Sequence, residues 1–392
     1  MSYDWLSEEQ REVRELVRTV VRERVAPRAT GIDETAEFPW DVVEAFREHE
    51  LFGLSHVERY GGSGIGTLMM LIAIEETSKA CATSGLILAV QQLGSIPIAL
   101  AGTDELKDRY LSKLVTGETL AAYALTEPGS GSDSAAMRTT AQQNGDAYFL
   151  TGGKRFITNA GVAGVYVVFA RTDSHDVHKG ISAFVVEPDF PGFEVGRIEP
   201  KMGIKGSTTG EIFFNECRVP VENRLGEEGE GFTVAMRVLD RSRPGVAAQA
   251  LGIAQGAIDY AVDYAKTRET MGKPISEHQL IAAKLAEMET RTEAARGLLY
   301  RVGRMIDEGV DGPALTKASA QAKLFCSDTA MAVATDAVQV LGGYGYIREY
   351  PVERMMRDAK ITQIYEGSNE IQQLVIAREM LREARANLLA DA

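Results

Sequence analysis

The chain is poor in cysteine, histidine and tryptophan, with 3, 5 and 2 of them among 392 residues. Cys81, Cys217 and Cys326 are scattered, form no CxxC pair and leave an odd number. Neither a disulfide framework nor a zinc-finger pattern is therefore written in the sequence. Blocks of five or six basic residues are missing, and 42 Lys plus Arg against 56 Asp plus Glu give a formal charge of −14. That balance speaks against nucleic acid or an anionic membrane as the main partner, since both need concentrated positive charge. Wholly apolar runs such as 86–90 stop far short of the ~20 residues that span a bilayer, so no membrane insertion is expected. The opening MSYDWLSEEQREVREL is acidic and amphipathic, unlike a secretory leader, and a cytoplasmic location is the expectation. A Rossmann GxGxxG between strand and helix is absent, and so is a P-loop. His175 and His178, in HDVH, find no third ligand nearby, so no metal is expected. His49, His56 and His278 have no adjacent Ser or Cys that makes a nucleophile elbow, which leaves a triad hydrolase with little support.

What is present is ordinary globular composition, 45% hydrophobic and 25% charged. At ~100–200 residues per domain the length allows two or three domains. Apolar residues recur at helical spacing in 7–25, 40–50, 67–82, 87–101 and 105–116, with Gly- or Pro-containing breaks between them. From about residue 120 the pattern becomes strand-like, in 148–151, 165–171, 181–187, 194–198 and 211–214. Long helical patterns return at 232–268, 277–307, 312–341 and 368–386. The expected fold is α+β, mainly α. It comprises an N-terminal α-helical domain (1–119), a central antiparallel β-barrel domain (120–226) and a C-terminal four-helix bundle (227–392).

Two segments carry candidate chemistry. YALTEPGSGSD at 123–133 is rich in hydroxyls and small residues, so its backbone N–H groups can approach a phosphate; it could equally be a turn in which Asp133 caps a helix. Near the C-terminus Glu366 stands between Tyr365 and Gly367, just before a helix. A carboxylate in a tight, semi-apolar turn has the raised pKa that a general base for a weak carbon acid needs. The alternative is a solvated residue ahead of a helix capped by Ser368.

Together with KRFITNAG at 154–161, the DxxR of Asp240 and Arg243, RETMGKPISEHQ at 268–279, DAVQVLGGYGY at 336–346 and IYEGSNEIQ at 364–372, these segments resemble the acyl-CoA dehydrogenase family over essentially the whole chain. The resemblance implies FAD as cofactor and an acyl-CoA substrate oxidised to trans-2-enoyl-CoA. Glu366 matches the base that takes the α-proton while hydride leaves for flavin N5. Tyr123, Leu125, Thr126, Gly131, Ser132, Phe156, Ile157 and Thr158 match cofactor positions from the central region. Arg268, Thr270, His278, Gln279, Gln339, Gly342 and Gly343 match further ones, several supplied by a neighbouring subunit. Ser368, Asn369 and Glu370 match positions that close over the cofactor. Ser132, Asp240, Arg243 and Gly367 match substrate positions. Electron-transfer flavoprotein is the implied electron acceptor and a homotetramer, a dimer of dimers, the implied assembly. Some relatives place the base beside the DxxR motif, where this chain has Ser242, so the straight-chain or short-branched-chain arrangement is favoured over the isovaleryl-type one. Phe156 and Met271 depart from the family's usual Trp and Phe. The stretch 85–93 matches the acyl-pocket helix; it has no Lys or Arg, and its Leu86 and Val90 favour short or short-branched chains. An acyl-CoA oxidase or other oxygen-reacting enzyme of the same fold is the main alternative. A non-catalytic scaffold is the remote one, since base and cofactor loop are both kept.

Overall fold

The computed structural model describes residues 6–173, 176 and 178–390; His175 lies outside the described residues. Seven helices open the chain: α1 (Glu8–Val20), α2 (Ala29–Thr35), α3 (Trp40–Glu48), α4 (Thr67–Ala80), α5 (Ala82–Ala101) and the short α6 (Asp104–Leu106) and α7 (Ser112–Val115). Helix α1 starts at a capping box, in which the Gln10 amide donates to Ser7 Oγ and the Ser7 amide to Gln10 Oε1, each at 3.1 Å. Its apolar stripe buries Val17 and Val20. Helices α4 and α5 are apolar nearly all round and accordingly sit in the core. By length and composition α5 could cross a membrane, with a mean hydropathy of 1.5, yet 72% of that stretch is buried inside the protein. Its apolarity serves packing.

The strands are β1 (Ala121–Ala124), β2 (Thr140–Asn144), β3 (Ala147–Thr158), β4 (Val165–Arg171), β5 (Ile181–Val186), β6 (Phe193–Ile198), β7 (Thr209–Pro220) and β8 (Arg224–Leu225). They form one sheet in the order β6-β7-β3-β2-β4-β5-β8, with β1 paired to β4. The expected antiparallel barrel needs correction on two counts. The sheet is mixed, because β1 and β2 both run parallel to β4. It also does not close, for β6 and β8 are its ends and no ladder joins them among the described residues. Strands β1 and β4 are separated in the chain by the antiparallel β2–β3 pair, which gives the long connection that parallel pairing requires.

Beyond Gly231 come α8 (Gly231–Thr267), a small hairpin of β9 (Glu269–Thr270) and β10 (Lys273–Pro274), α9 (Gln279–Asp307), α10 (Pro313–Leu341), α11 (Val352–Thr362) and α12 (Asn369–Ala390). The C-terminal region therefore holds five helices where four were expected. Helix α11 is short, and its charged VERMMRDAKIT lacks a long apolar stripe. Helix α8 runs through the middle of the helical mass, packed on α4, α5, α9, α10 and α11. A buried ion network pins this arrangement. Glu75 of α4 accepts from Arg296 Nε of α9 at 3.0 Å and from the Tyr300 hydroxyl, while Arg296 Nη2 donates to Gln255 of α8 at 2.5 Å.

Breaking a buried pair from one side strands the other charge, at a cost of about 3–5 kcal/mol. Arg296→Met should therefore lower the unfolding midpoint in denaturant by an amount corresponding to about 3 kcal/mol or more, and Glu75→Gln/Arg296→Met together should recover part of the loss.

Candidate active site

Between α11 and α12 the chain makes a short turn, and Glu366 sits in it at φ 52° with Gly367 at φ 90°. A left-handed glutamate is strained by about 1–3 kcal/mol and persists only where its surroundings over-determine it. They do so from three helices. The Tyr365 hydroxyl donates to Gln249 Oε1 of α8, whose amide donates to the Ala82 carbonyl at 2.9 Å. Ser242 Oγ, also on α8, donates to Glu366 Oε2 at 2.7 Å. Lys323 Nζ of α10 donates to the Gly367 carbonyl at 2.8 Å and Asn369 Oδ1 at 2.9 Å, and Gln372 of α12 adds a 2.9 Å bond to the same carbonyl.

Burial raises the Glu366 carboxyl above the ordinary carboxylate range, while the Ser242 hydrogen bond and the positive charges of Arg243 and Lys323 pull it back down. Arg243 is 5% exposed and donates to Asp240 Oδ1 at 3.1 Å; Asp240 also accepts from Thr316 at 2.5 Å. Tyr123 Oη of β1 and Arg243 Nε are both buried and without a partner in the protein. Buried donors need an acceptor, so these two suit a polar ligand lying beside Glu366.

The loop after β1 supplies the next wall. Glu127 and Ser130 exchange backbone hydrogen bonds at 3.0 and 3.1 Å around Pro128-Gly129, forming the tight turn. Asp133 precedes only a 3-10 turn (Ser134–Ala136) and its side chain makes no capping hydrogen bond there, so the alternative of Asp133 capping a helix does not hold. Lys154 of β3, 1% exposed, donates to Glu127 at 2.8 Å and to the Leu125 carbonyl at 3.2 Å. Glu127 also accepts the Arg138 and Thr139 amides at 2.6 and 2.9 Å. This buried pair ties the loop to the sheet. Leu125 is buried, Thr126 half-buried, and Gly131 and Ser132 exposed. Register slips in β3 between Lys154 and Ile157, and that bulge throws Phe156 outward at φ 59°. Phe156 is 58% exposed, Ile157 is buried and Thr158 half-buried. An exposed aromatic ring on a strained bulge, facing open loops, fits a flat aromatic cofactor.

Of the residues proposed from the sequence, Tyr123, Asp240, Arg243 and 366–370 gather at the turn that carries Glu366, while Leu125, Thr126, Gly131, Ser132 and Phe156 to Thr158 stand on the loop after β1 and the β3 bulge, joined where the Arg155 amide donates to the Thr126 carbonyl at 2.9 Å. Arg268, Thr270, Gln279, Gln339, Gly342 and Gly343 are exposed, and His278 is half-buried. His278 Nε2 lies 3.2 Å from the Thr270 carbonyl, and the Arg268 guanidinium stacks 5.5 Å over Tyr344. Arg268 stands at the far end of α8 from Arg243, roughly 37 Å along the axis. Asn369 changes its meaning. Its side chain is used inward, on Lys323, Ser327 and Asp328, so it anchors the turn. Ser368 is half-buried and Glu370 exposed.

Sequence reading missed Lys154, Glu127, Gln249 and Lys323 altogether, and weighed Ser242 only as a replaced base. Ser319, Lys323 and Ser327 recur every fourth residue among apolar neighbours, which is a readable sign of a polar stripe facing inward. Among the described residues no cluster of three metal-ligating side chains occurs.

A helix–sheet–helix scaffold carrying one strained, buried carboxylate between α8, α10 and α12 defines the class of protein to which this chain is to be compared. Comparison with known proteins sharpens this. The N-terminal, middle and C-terminal domain models of acyl-CoA dehydrogenase match residues 7–118, 122–217 and 229–381. Cyclohexane-1-carbonyl-CoA dehydrogenase of Geobacter metallireducens is 48% identical over 380 residues, covering 96% of this chain and 99% of that one. Butyryl-CoA dehydrogenase from Megasphaera elsdenii superposes with a TM-score of 0.94 at 43% identity, over 97% of this chain and 100% of that chain. A chain from a structure described as the electron transferring flavoprotein of Acidaminococcus fermentans superposes at 0.95 with 44% identity, over 97% and 100%. The chain belongs to the acyl-CoA dehydrogenase family.

Removing the Ser242 hydroxyl takes away a hydrogen bond that favours the ionised form of Glu366. If Glu366 governs the acid limb of the kcat/KM profile, Ser242→Ala should move that limb to higher pH, because the Glu366 pKa rises when the hydroxyl is gone. A limb that stays in place would show that Glu366 does not govern it.

Proposed function

We propose that the enzyme dehydrogenates a short or short-branched acyl-CoA thioester, with Glu366 as the base that takes the α-proton. The observation that carries this reading is the carboxylate of Glu366, raised by burial and held at 2.7 Å by Ser242 in a strained turn. FAD, when bound, supplies the acceptor for the β-hydrogen and two electrons. Thr126, Leu125, Tyr123, Gly131, Ser132 and Phe156 to Thr158 hold it from this subunit, while Ser368 and Glu370 close the edge. Arg243, neutralised in part by Asp240, meets the anionic substrate, and Gly367 lets its backbone pass close to the turn. The Glu366 amide is assigned to the thioester oxygen, which gains negative charge as the proton leaves. A bound acyl chain excludes water from Glu366 and raises its pKa further.

Arg268, Thr270, His278, Gln279, Gln339, Gly342 and Gly343 serve the cofactor of a neighbouring subunit. What supports this is their place at the end of α8, in the β9–β10 hairpin, at the start of α9 and at the end of α10, together with Met271 at 91%, Leu280 at 86% and Tyr346 at 84% exposure beside them. Large apolar side chains so exposed suit an interface, and a homotetramer built as a dimer of dimers follows the family. The three segments 1–119, 120–226 and 227–392 are the proposed domains. Short substrates agree with the butyryl- and cyclohexane-1-carbonyl-CoA names of the relatives and with α5, which has no charged residue. Electrons pass on to electron-transfer flavoprotein.

Glu366→Gln keeps volume and hydrogen-bonding capacity but cannot take a proton. FAD content should persist while anaerobic flavin bleaching by butyryl-CoA slows by about 10²–10⁴-fold; bleaching near the wild-type rate would overturn the assignment of the base. An acyl-CoA oxidase of the same fold is the second reading, favoured by nothing specific in the site. Stoichiometric hydrogen peroxide per acyl-CoA oxidised, without added acceptor, would make it the better one.

A further inference from the structure

Lys323 is the one lysine wholly buried beside the turn that carries Glu366, and the proposed reaction gives it no role. It projects from α10 with 0% exposure, and its ammonium bonds the Gly367 carbonyl and Asn369 Oδ1 on either side of Ser368. Asn369 is held in turn by Ser327 Oγ at 2.9 Å and Asp328 Oδ1 at 2.7 Å. A lysine in the apolar core loses the hydration of its charge and needs compensation from acceptors. Here those acceptors belong to the turn and to the first residue of α12.

We infer that Lys323 is the positioning residue of the catalytic turn: its ammonium clamps the residues just after Glu366, holding the left-handed backbone and keeping a positive charge beneath the carboxylate. This rests on Glu366 being the base. Geometry argues for the clamp over simple core filling. A methionine would occupy the same volume without either bond, and the Gly367 carbonyl sits in the only residue pair of the turn with consecutive positive φ. Without the clamp, Gly367 retains only the Gln372 side chain among the bonds described. Groups facing Glu366 are Ser242 and Arg243 of α8, Tyr123 of β1, Lys323 of α10 and Tyr365 of the turn itself; those facing Lys323 are Glu366, Arg243, Asp328 and Glu370. Of these, Arg243 is committed to Asp240, so Lys323 is the positive group bonded to the turn itself. Burial pulls the Lys323 ammonium down to about 7, so the clamp is fully charged only below neutrality.

The test uses the FAD-loaded enzyme with Lys323→Met, Lys323→Gln and Ser327→Ala. Lys323→Met should lower kcat by about tenfold to a hundredfold at little changed KM, as a misplaced base does. Its acid limb should move to higher pH, because a charge that favoured the carboxylate is gone. Independently of activity, hydrogen exchange of the amides at 364–369 should quicken. Ser327→Ala, which removes a neighbouring hydrogen bond and no charge, should leave the acid limb in place. Should the methionine variant not fold, Lys323→Gln keeps a donor while losing the charge, and its limb should still move. Wild-type exchange and an unmoved limb in either Lys323 variant would overturn the inference. If instead Glu366→Gln stays active, the base assignment fails, while the exchange measurement still judges the clamp.

Discussion

A buried carboxylate, held in a backbone conformation it disfavours, is the constraint on which the arrangement of the surrounding helices depends. Burial alone raises the pKa of Glu366. What opposes this is a hydroxyl from α8 at 2.7 Å and two cations, Arg243 and Lys323, from two different helices. Those helices must therefore be rigidly placed relative to each other, and α8 and α10 pack together along much of their length. The buried Glu75–Arg296–Tyr300 network, on the other side of α8, fixes the same helix against α4 and α9. Stability and chemistry share one axis.

The sheet answers a different demand, that of presenting irregular backbone to a ligand without losing order. Regular strands cannot project a ring such as Phe156 sideways, so β3 carries a bulge where that ring leaves the ladder. The loop after β1 would be free to collapse into the cleft. It is held instead by Glu127, which receives two backbone amides and the buried Lys154. Lys154 and Glu127 are ordinary charged letters inside two motifs whose small residues attract attention, yet they join those motifs in space.

Much of the fold was legible because it rests on local periodicity. Helices α1, α3, α4, α5, α8, α9, α10 and α12 stand close to where apolar spacing put them. The misses have local causes too. Helix α2 lies across ATGIDET, whose Gly and Thr weaken the pattern, and α11 is short and charged. Strand β2, TAQQN, is mostly exposed and shows no apolar alternation. Barrel closure and strand direction were beyond reach, since partners such as β1 and β4 pair across two intervening strands.

By itself the sequence determined the order helix, sheet, helix and the place of Glu366 in a short turn just before a helix, both of which depend on neighbours within a turn or two. The tertiary structure alone decided that Ser242 and Glu366, 124 positions apart, share a hydrogen bond, and that Lys323 reaches the turn from 44 residues away. It also turned the Asn369 side chain inward, onto Lys323, Ser327 and Asp328. Contacts of such long sequence separation follow from how whole helices pack, and no local pattern of residues encodes them.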